Sequence, residues 1–288
     1  MADRIFFCET LRPFRGSVVI WGTMNAQTND TVRTQVRETY GKIATADRAC
    51  GCAPSCCAPG ATVDATAVAH RVGYTARELH TTPNGANLGL GCGNPFIFAH
   101  LEAGHTVLDL GSGAGFDAFL AANVVGTTGR VIGVDMTPEM VTKARANLAR
   151  GGYRHVEFRL GEIEYLPVAD ASVDVIISNC VINLSPDKAA VFREAYRVLK
   201  PGGRLAISDI VALQPLPSRI RDSIALHAGC IAGTSLVAEL ETLVKAAGFA
   251  AVRIEVKPES RQYIAECFPG EGLEEFTASA TIEAVKPA

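Results

Sequence analysis

Two of the nine cysteines in this 288-residue chain stand in settings that favour reactivity over packing, and a third can join them. Cys92 lies in Gly91-Cys92-Gly93-Asn94-Pro95, and Cys230 lies in Gly229-Cys230-Ile231-Ala232-Gly233. Glycine flanks let a backbone approach a ligand closely and offer little to pack against. Cys180 closes the apolar run of residues 173–180. Taken alone it reads more readily as a small buried hydrophobe, the common fate of a free cysteine. Together the three thiols suit a soft, thiophilic centre, because soft ligands select soft acceptors. An odd cysteine count without an export signal points to free thiols, metal or metalloid ligands, or transient catalytic disulfides. A structural disulfide framework is not expected.

A second group of residues could hold a nucleotide. Asp109-Leu110-Gly111-Ser112-Gly113-Ala114-Gly115 follows an apolar strand pattern and precedes a helix pattern. Such a turn passes close to a ligand, and the following helix points its free N–H groups at the same place. Asp135 ends the next strand pattern, twenty residues after Gly115, where a carboxylate can accept both ribose hydroxyls of an adenosine. The dinucleotide fingerprint G-x-G-x-x-G is not met, because its third glycine position is Phe116. The G-x-G-x-G form with a preceding acid instead resembles the first motif of class I S-adenosylmethionine methyltransferases. Gly161-Glu162-Ile163 after the third strand suits an acid near an adenine amino group, and Asn179 ends the fourth strand.

These residues need strand ends to position them, and the chain supplies a repeat of strands and helices from 105 onward. Strands are expected at 105–111, 130–136, 156–162, 173–180 and 203–211, with helices at 115–125, 137–151 and 187–200 between them. Thr137 is the expected N-cap of the second helix, with Pro138 at its first position. Pro201-Gly202 is expected to stop the third. The alternation predicts an α/β, Rossmann-like, doubly wound and mostly parallel sheet, which binds ligands at the carboxyl ends of its strands. Residues 1–24 are expected to be a disordered extension and 25–80 a helical, Cys-rich segment. Residues 81–212 are expected to form the cofactor-binding domain and 213–288 a C-terminal acceptor-binding region. In the second of these, Val32, Val36, Tyr40 and Ile43 recur at helical spacing.

Three thiolates in a pyramid suit trivalent arsenic, which keeps a lone pair able to act as a nucleophile. The segments NLGLGCGNP, VLDLGSGAGFD, VIGVDMTPEM, SNCVINLSPDK, LKPGGRLAISDIV and GCIAG make residues 84–288 resemble the arsenite S-adenosylmethionine methyltransferase family in its bacterial and archaeal form. The resemblance implies arsenic-binding roles for Cys92, Cys180 and Cys230. It implies S-adenosylmethionine as cofactor, held by Asp109, Gly111, Ser112, Gly113, Gly115, Asp135, Met136, Glu162, Ile163 and Asn179. It further implies arsenite delivered as a thiol adduct and a thioredoxin or glutathione reductant. Cys56-Cys57 matches an auxiliary site for arsenic delivery or disulfide exchange. For the wider cluster Cys50, Cys52, Cys56 and Cys57, zinc binding and a passive tail stay open beside that reading.

Composition narrows the alternatives. A net charge of -3 provides no basic field for nucleic acid. No apolar run reaches the roughly 20 residues that span a bilayer. A cytoplasmic monomer is expected. Two rivals remain: a methyltransferase for a quinone, sterol or other carbon acceptor, and a non-catalytic thiol-rich arsenic or metal sensor. The first has no use for three thiols, and the second has no use for a cofactor motif.

Overall fold

The computed structural model describes residues 26–46 and 64–288, with side chains from residue 29. Cys8 and the cluster Cys50, Cys52, Cys56 and Cys57 lie outside the described residues. The described chain opens with α1 (Ala26–Thr45), α2 (Ala65–Arg71), α3 (Ala76–His80) and the single turn α4 (Phe96–Ala99). The repeat follows: β1 (Thr106–Leu110), α5 (Phe116–Val125), β2 (Arg130–Asp135), α6 (Pro138–Gly151), β3 (Val156–Leu160), β4 (Val173–Asn179), α7 (Lys188–Val198) and β5 (Leu199–Ala212). Two short helices, α8 (Ser218–Arg221) and α9 (Ile224–Ala228), lead to α10 (Val237–Ala246). The chain then forms β6 (Ala250–Lys257), α11 (Ser260–Cys267) and β7 (Thr277–Val285).

The strands form one seven-stranded sheet in the order β3-β2-β1-β4-β5-β7-β6. The first five are parallel, and β7 runs antiparallel to both of its neighbours. Side chains alternate across a strand, so β4 sends Ile176 into one apolar layer and Val175 and Ile177 into the other. Helices cover both faces, which is why β4 reads as a continuous apolar run instead of a polar alternation. Phe192 of α7 and Phe119 of α5 are fully buried, one in each layer. Truncating either to alanine would cost about 3–5 kcal/mol.

One local expectation is corrected. The helix expected to run to residue 200 ends at Val198, and β5 starts at Leu199. A residue before proline is pushed out of the helical region, so Lys200 takes extended backbone and draws Leu199 into pairing with Val173. Thr137 stands at the N-cap of α6, but its hydroxyl makes no capping bond. Its N–H donates instead to Asp135 Oδ1 at 2.8 Å. Residues 250–285 complete the sheet begun at residue 106, so the boundary drawn after residue 212 falls within one sheet. Among the described residues no helix is long and apolar enough to cross a membrane.

The helix α1 packs on α6, α9 and the turn Ile182–Leu184. Val36 is its buried contact, with Val32 and Tyr40 beside it. Arg33 pairs with Glu162 (3.4 Å) and Glu164 (3.2 Å), and Arg37 pairs with Glu162 (3.3 Å).

Candidate active site

A cleft opens at the carboxyl ends of β1, β2 and β4. Its floor is the turn after β1. Gly111 there has φ +66°, and a Cβ would overlap the side chain of Val181. An L side chain would therefore be excluded both by backbone strain and by contact. Asp135 holds the turn: its Oδ2 accepts from Gly113 N at 2.9 Å while Oδ1 accepts from Thr137 N. Burial raises the Asp135 pKa, and these two amides oppose the rise.

The same wall contains buried polar atoms that are open to a ligand. Asp109 Oδ2 and Ser112 Oγ find no hydrogen-bond partner among the described residues, although both side chains line the cleft. Burial, followed by the charges of Asp117 and Asp135, drives Asp109 well above the usual carboxylate range. Burial likewise raises Asp117 to about 6, against the hydrogen bonds from Tyr74 and Asn179. Leaving a polar group buried and unpaired costs about 1–3 kcal/mol, so the wall fits a polar guest. A glycine turn, a helix N-terminus and two carboxylates suit the ribose and amino-acid parts of S-adenosylmethionine.

The cleft runs on from the glycine turn to Cys180. Cys92 and Cys180 are joined as a disulfide, their Cα atoms 5.8 Å apart. Cys230 is buried, and its Sγ donates to Cys180 O at 2.9 Å. All three belong to one packed cluster beneath α1. Their loops are held tightly. Asn179 Oδ1 accepts from Cys92 N at 3.0 Å, and Asn179 Nδ2 donates to Gly93 O at 2.8 Å. A Cβ on Gly91 would come within 2.7 Å of Asn179 Nδ2, and one on Gly93 within 2.6 Å of Ser208 Oγ. The glycine flanks thus let the Cys92 loop lie flat on the sheet end. Cys180 and Cys230 have φ of +58° and +62°. For a residue with a side chain this region costs about 1–2 kcal/mol, which the surrounding structure must offset.

Comparisons with known proteins agree with this arrangement. A family model for a methyltransferase domain matches residues 101–248. The arsenite methyltransferase of Halobacterium salinarum is 50% identical over 268 residues, which are 90% of this chain and 68% of that protein. The chain belongs to the arsenite methyltransferase family. The human arsenite methyltransferase is 41% identical over 173 residues, and the chain spans 46% of its length. Among solved structures, the arsenic(III) S-adenosylmethionine methyltransferase of Chlamydomonas reinhardtii superposes with a TM-score of 0.56. It is 35% identical, over 77% of this chain and 73% of that one.

For a member of the arsenite methyltransferase family, most of the expected site residues fall around one cleft. Asp109, Gly111, Ser112, Gly113, Asp135, Met136, Ile163, Asn179 and Cys180 line it. Gly115 is the N-cap of α5, and Cys92 and Cys230 stand behind Cys180. Glu162 pairs with Arg33 and Arg37 and does not line the cleft, whereas Glu164, which also pairs with Arg33, does. The side chain of Asn179 is occupied by the Cys92 loop and by Tyr74, whose hydroxyl accepts from Asn179 Nδ2 at 2.9 Å. Sequence reasoning passed over Tyr74, whose hydroxyl donates to Asp117 at 2.6 Å, and over Asp209 behind the disulfide. Asp209 had a signal: it is a carboxylate interrupting the apolar end of β5. Tyr74 had none, because it lies outside the repeat.

Proposed function

We propose that this chain methylates trivalent arsenic held as substrate by Cys92, Cys180 and Cys230. The donor is S-adenosylmethionine, bound between the glycine turn and Asp135. One observation carries the reading: a single cleft joins the turn after β1 to a cluster of three cysteines brought from positions 92, 180 and 230.

Three free thiols are needed, so two electrons must first open the Cys92–Cys180 bond. A dithiol of the thioredoxin class or two glutathione molecules would supply them. Arsenite arrives as a thiol adduct. In each exchange a cysteine forms a sulfur–arsenic bond and gives up its proton, which the departing thiolate takes. The adjacent pair Cys56-Cys57 serves as an auxiliary delivery or disulfide-exchange site.

Bound S-adenosylmethionine supplies an electrophilic methyl group on a sulfonium. Asp135 orients the ribose, the amides of the glycine turn and α5 face the polar end, and Met136, Ile163 and Glu164 border the base. Asp109 and Ser112 turn buried polar atoms to the same guest. The arsenic lone pair carries no proton, so no general base is required. None of the six histidines lines the cleft. Positioning then dominates catalysis and can supply about 7–11 kcal/mol at most. Methylation formally oxidises arsenic by two electrons. Two thiolates leaving as one disulfide return that electron pair, and the bond between Cys92 and Cys180 supports this pairing.

The test is speciation of arsenic after the reduced protein is incubated with arsenite and methyl-labelled donor. Labelled methylarsenicals are expected. Labelled quinone from a parallel acceptor panel, with no methylarsenical, would replace this reading with the carbon-acceptor one. Absence of donor binding in calorimetry would favour a sensor.

A further inference from the structure

Cys230 comes from a segment with no regular structure of its own, and something must hold that segment against the sheet. The Cys230 loop packs on the turn Ile182–Leu184 so closely that a Cβ on Gly233 would overlap the carbonyl oxygen of Asn183. Beneath this contact lies a polar group in a wall that is otherwise apolar. Asn183 is buried, and its Nδ2 donates to Asp209 Oδ1 at 2.8 Å and to Ile210 O at 2.6 Å, with Cys230 O at 3.4 Å. Asp209 is also buried, and its Oδ2 accepts from Ile182 N at 2.9 Å, the amide two residues beyond Cys180. Lys188, at the start of α7, donates to Gly233 O and to Ser235 Oγ (2.7 Å). One carboxylate oxygen of Asp209 and the sulfurs of Cys92 and Cys180 all lie within 4.8 Å of one another.

We infer that Asp209, Asn183 and Lys188 form a buried brace whose task is to set the third thiol, that of Cys230, against an arsenic atom held by Cys92 and Cys180. This rests on the proposal that these three thiols hold arsenic. None of the three brace residues lines the cleft, so they are positioning residues. The geometry explains why they are polar. Cys180 and Cys230 both need left-handed backbone, and dispersion alone does not select it. Hydrogen bonds fixed in direction hold the Ile182 amide, two residues beyond Cys180, and the carbonyl of Gly233, and the Cys230 carbonyl faces the side-chain amide of Asn183. Asp209 and Lys188 attract one another by charge while each is held by its own hydrogen bonds, so the loss of either polar end removes one side of the brace.

Two arsenicals separate this role from general damage. Arsenite exchanges three oxygens for thiolates, whereas phenylarsine oxide, with one carbon already on arsenic, takes only two. The experiment uses the full reduced chain with Asp209→Asn and Lys188→Met made singly. In the unmodified protein, one equivalent of arsenite is expected to shield Cys92, Cys180 and Cys230 from maleimide, read by peptide mapping. In each variant Cys92 and Cys180 stay shielded and Cys230 is labelled. Arsenite affinity falls by about tenfold or more, and phenylarsine oxide affinity moves by less than about threefold. Equal losses for both arsenicals, or continued shielding of Cys230 in both variants, would overturn the brace. Failure of arsenite to shield Cys230 in the unmodified protein would instead overturn the three-thiol site. If Asp209→Asn does not fold, Lys188→Met carries the same comparison, because its side chain keeps its length and loses only its polar end.

Discussion

The two halves of the cleft are built by opposite means. The donor half comes from one local stretch, the turn of residues 109–115, plus one residue at the end of the neighbouring strand, Asp135. Regular elements lead into it and out of it, and its special backbone is carried by glycine. The thiol half gathers residues from positions 92, 180 and 230, and it puts left-handed backbone on cysteines. Its support is a set of buried side-chain hydrogen bonds from β5 and α7. The donor half is common to many acceptors and can rest on an inherited turn. The thiol half, proposed to hold one element, needs a frame of its own.

Breaking the comparison begins on the thiol side. Cys180→Ser or Cys230→Ser should lower arsenite methylation by about 1000-fold, or roughly 4 kcal/mol of barrier. Donor affinity measured by calorimetry should stay within about threefold. A variant of either kind that methylates at the unmodified rate would remove the thiol half from the chemistry. On the donor side, Gly111→Ala meets both a positive φ and the side chain of Val181. A loss of about 3 kcal/mol in unfolding free energy is expected, with donor binding weakened, as read by denaturant melts and calorimetry. Unchanged donor binding would show that the turn tolerates a side chain.

The pH dependence sharpens the contrast further. Asp117 titrates near 6 in the folded protein against an ordinary 3.8, so between these values the native state keeps a proton that the unfolded chain has lost. Stability of the ligand-free protein therefore falls as pH rises through that window and levels off above it. Asp117→Asn removes the ionisation. The variant should gain about 2 kcal/mol relative to the unmodified protein between pH 4 and pH 7 in urea melts. A pH-independent difference would refute the assignment. The smallest effect is a control outside both halves. Asp187 caps α7 by accepting from Ala190 N at 2.9 Å, so Asp187→Ala should cost about 1 kcal/mol of stability and leave donor affinity unaltered.

The same contrast governs what could be read before the fold was known. Strand and helix periods from 105 onward are local signals, and β1, α5, β2 and α6 fall where those periods place them. The glycine flanks of Cys92 announced a close approach, and Asn179 and Ser208 are what they approach. What escaped notice was tertiary. Glu162 and Glu164 are two residues apart on one turn and both meet Arg33 of α1, and only the position of α1 decides that Glu164 lines the cleft while Glu162 does not. Lys188 looks like an ordinary residue opening an amphipathic helix until the Cys230 loop folds over it. The end of α7 moved by two residues because a proline rule outweighed an apolar period.

The place of β7 in the sheet has a consequence for synthesis. This strand wedges between β5 and β6, yet it is the last of the seven to leave the ribosome. Until residues 277–285 emerge, β5 lacks its β7 neighbour from Arg204 to Ala212, and β6 lacks its partner strand in the sheet. Asp209 sits on that edge of β5, opposite Ala280. The nascent chain can therefore complete its donor turn early, whereas the β5 edge that carries Asp209 is covered only once β7 has emerged. A ribosome stalled short of β7 would display its cysteines with that edge still open.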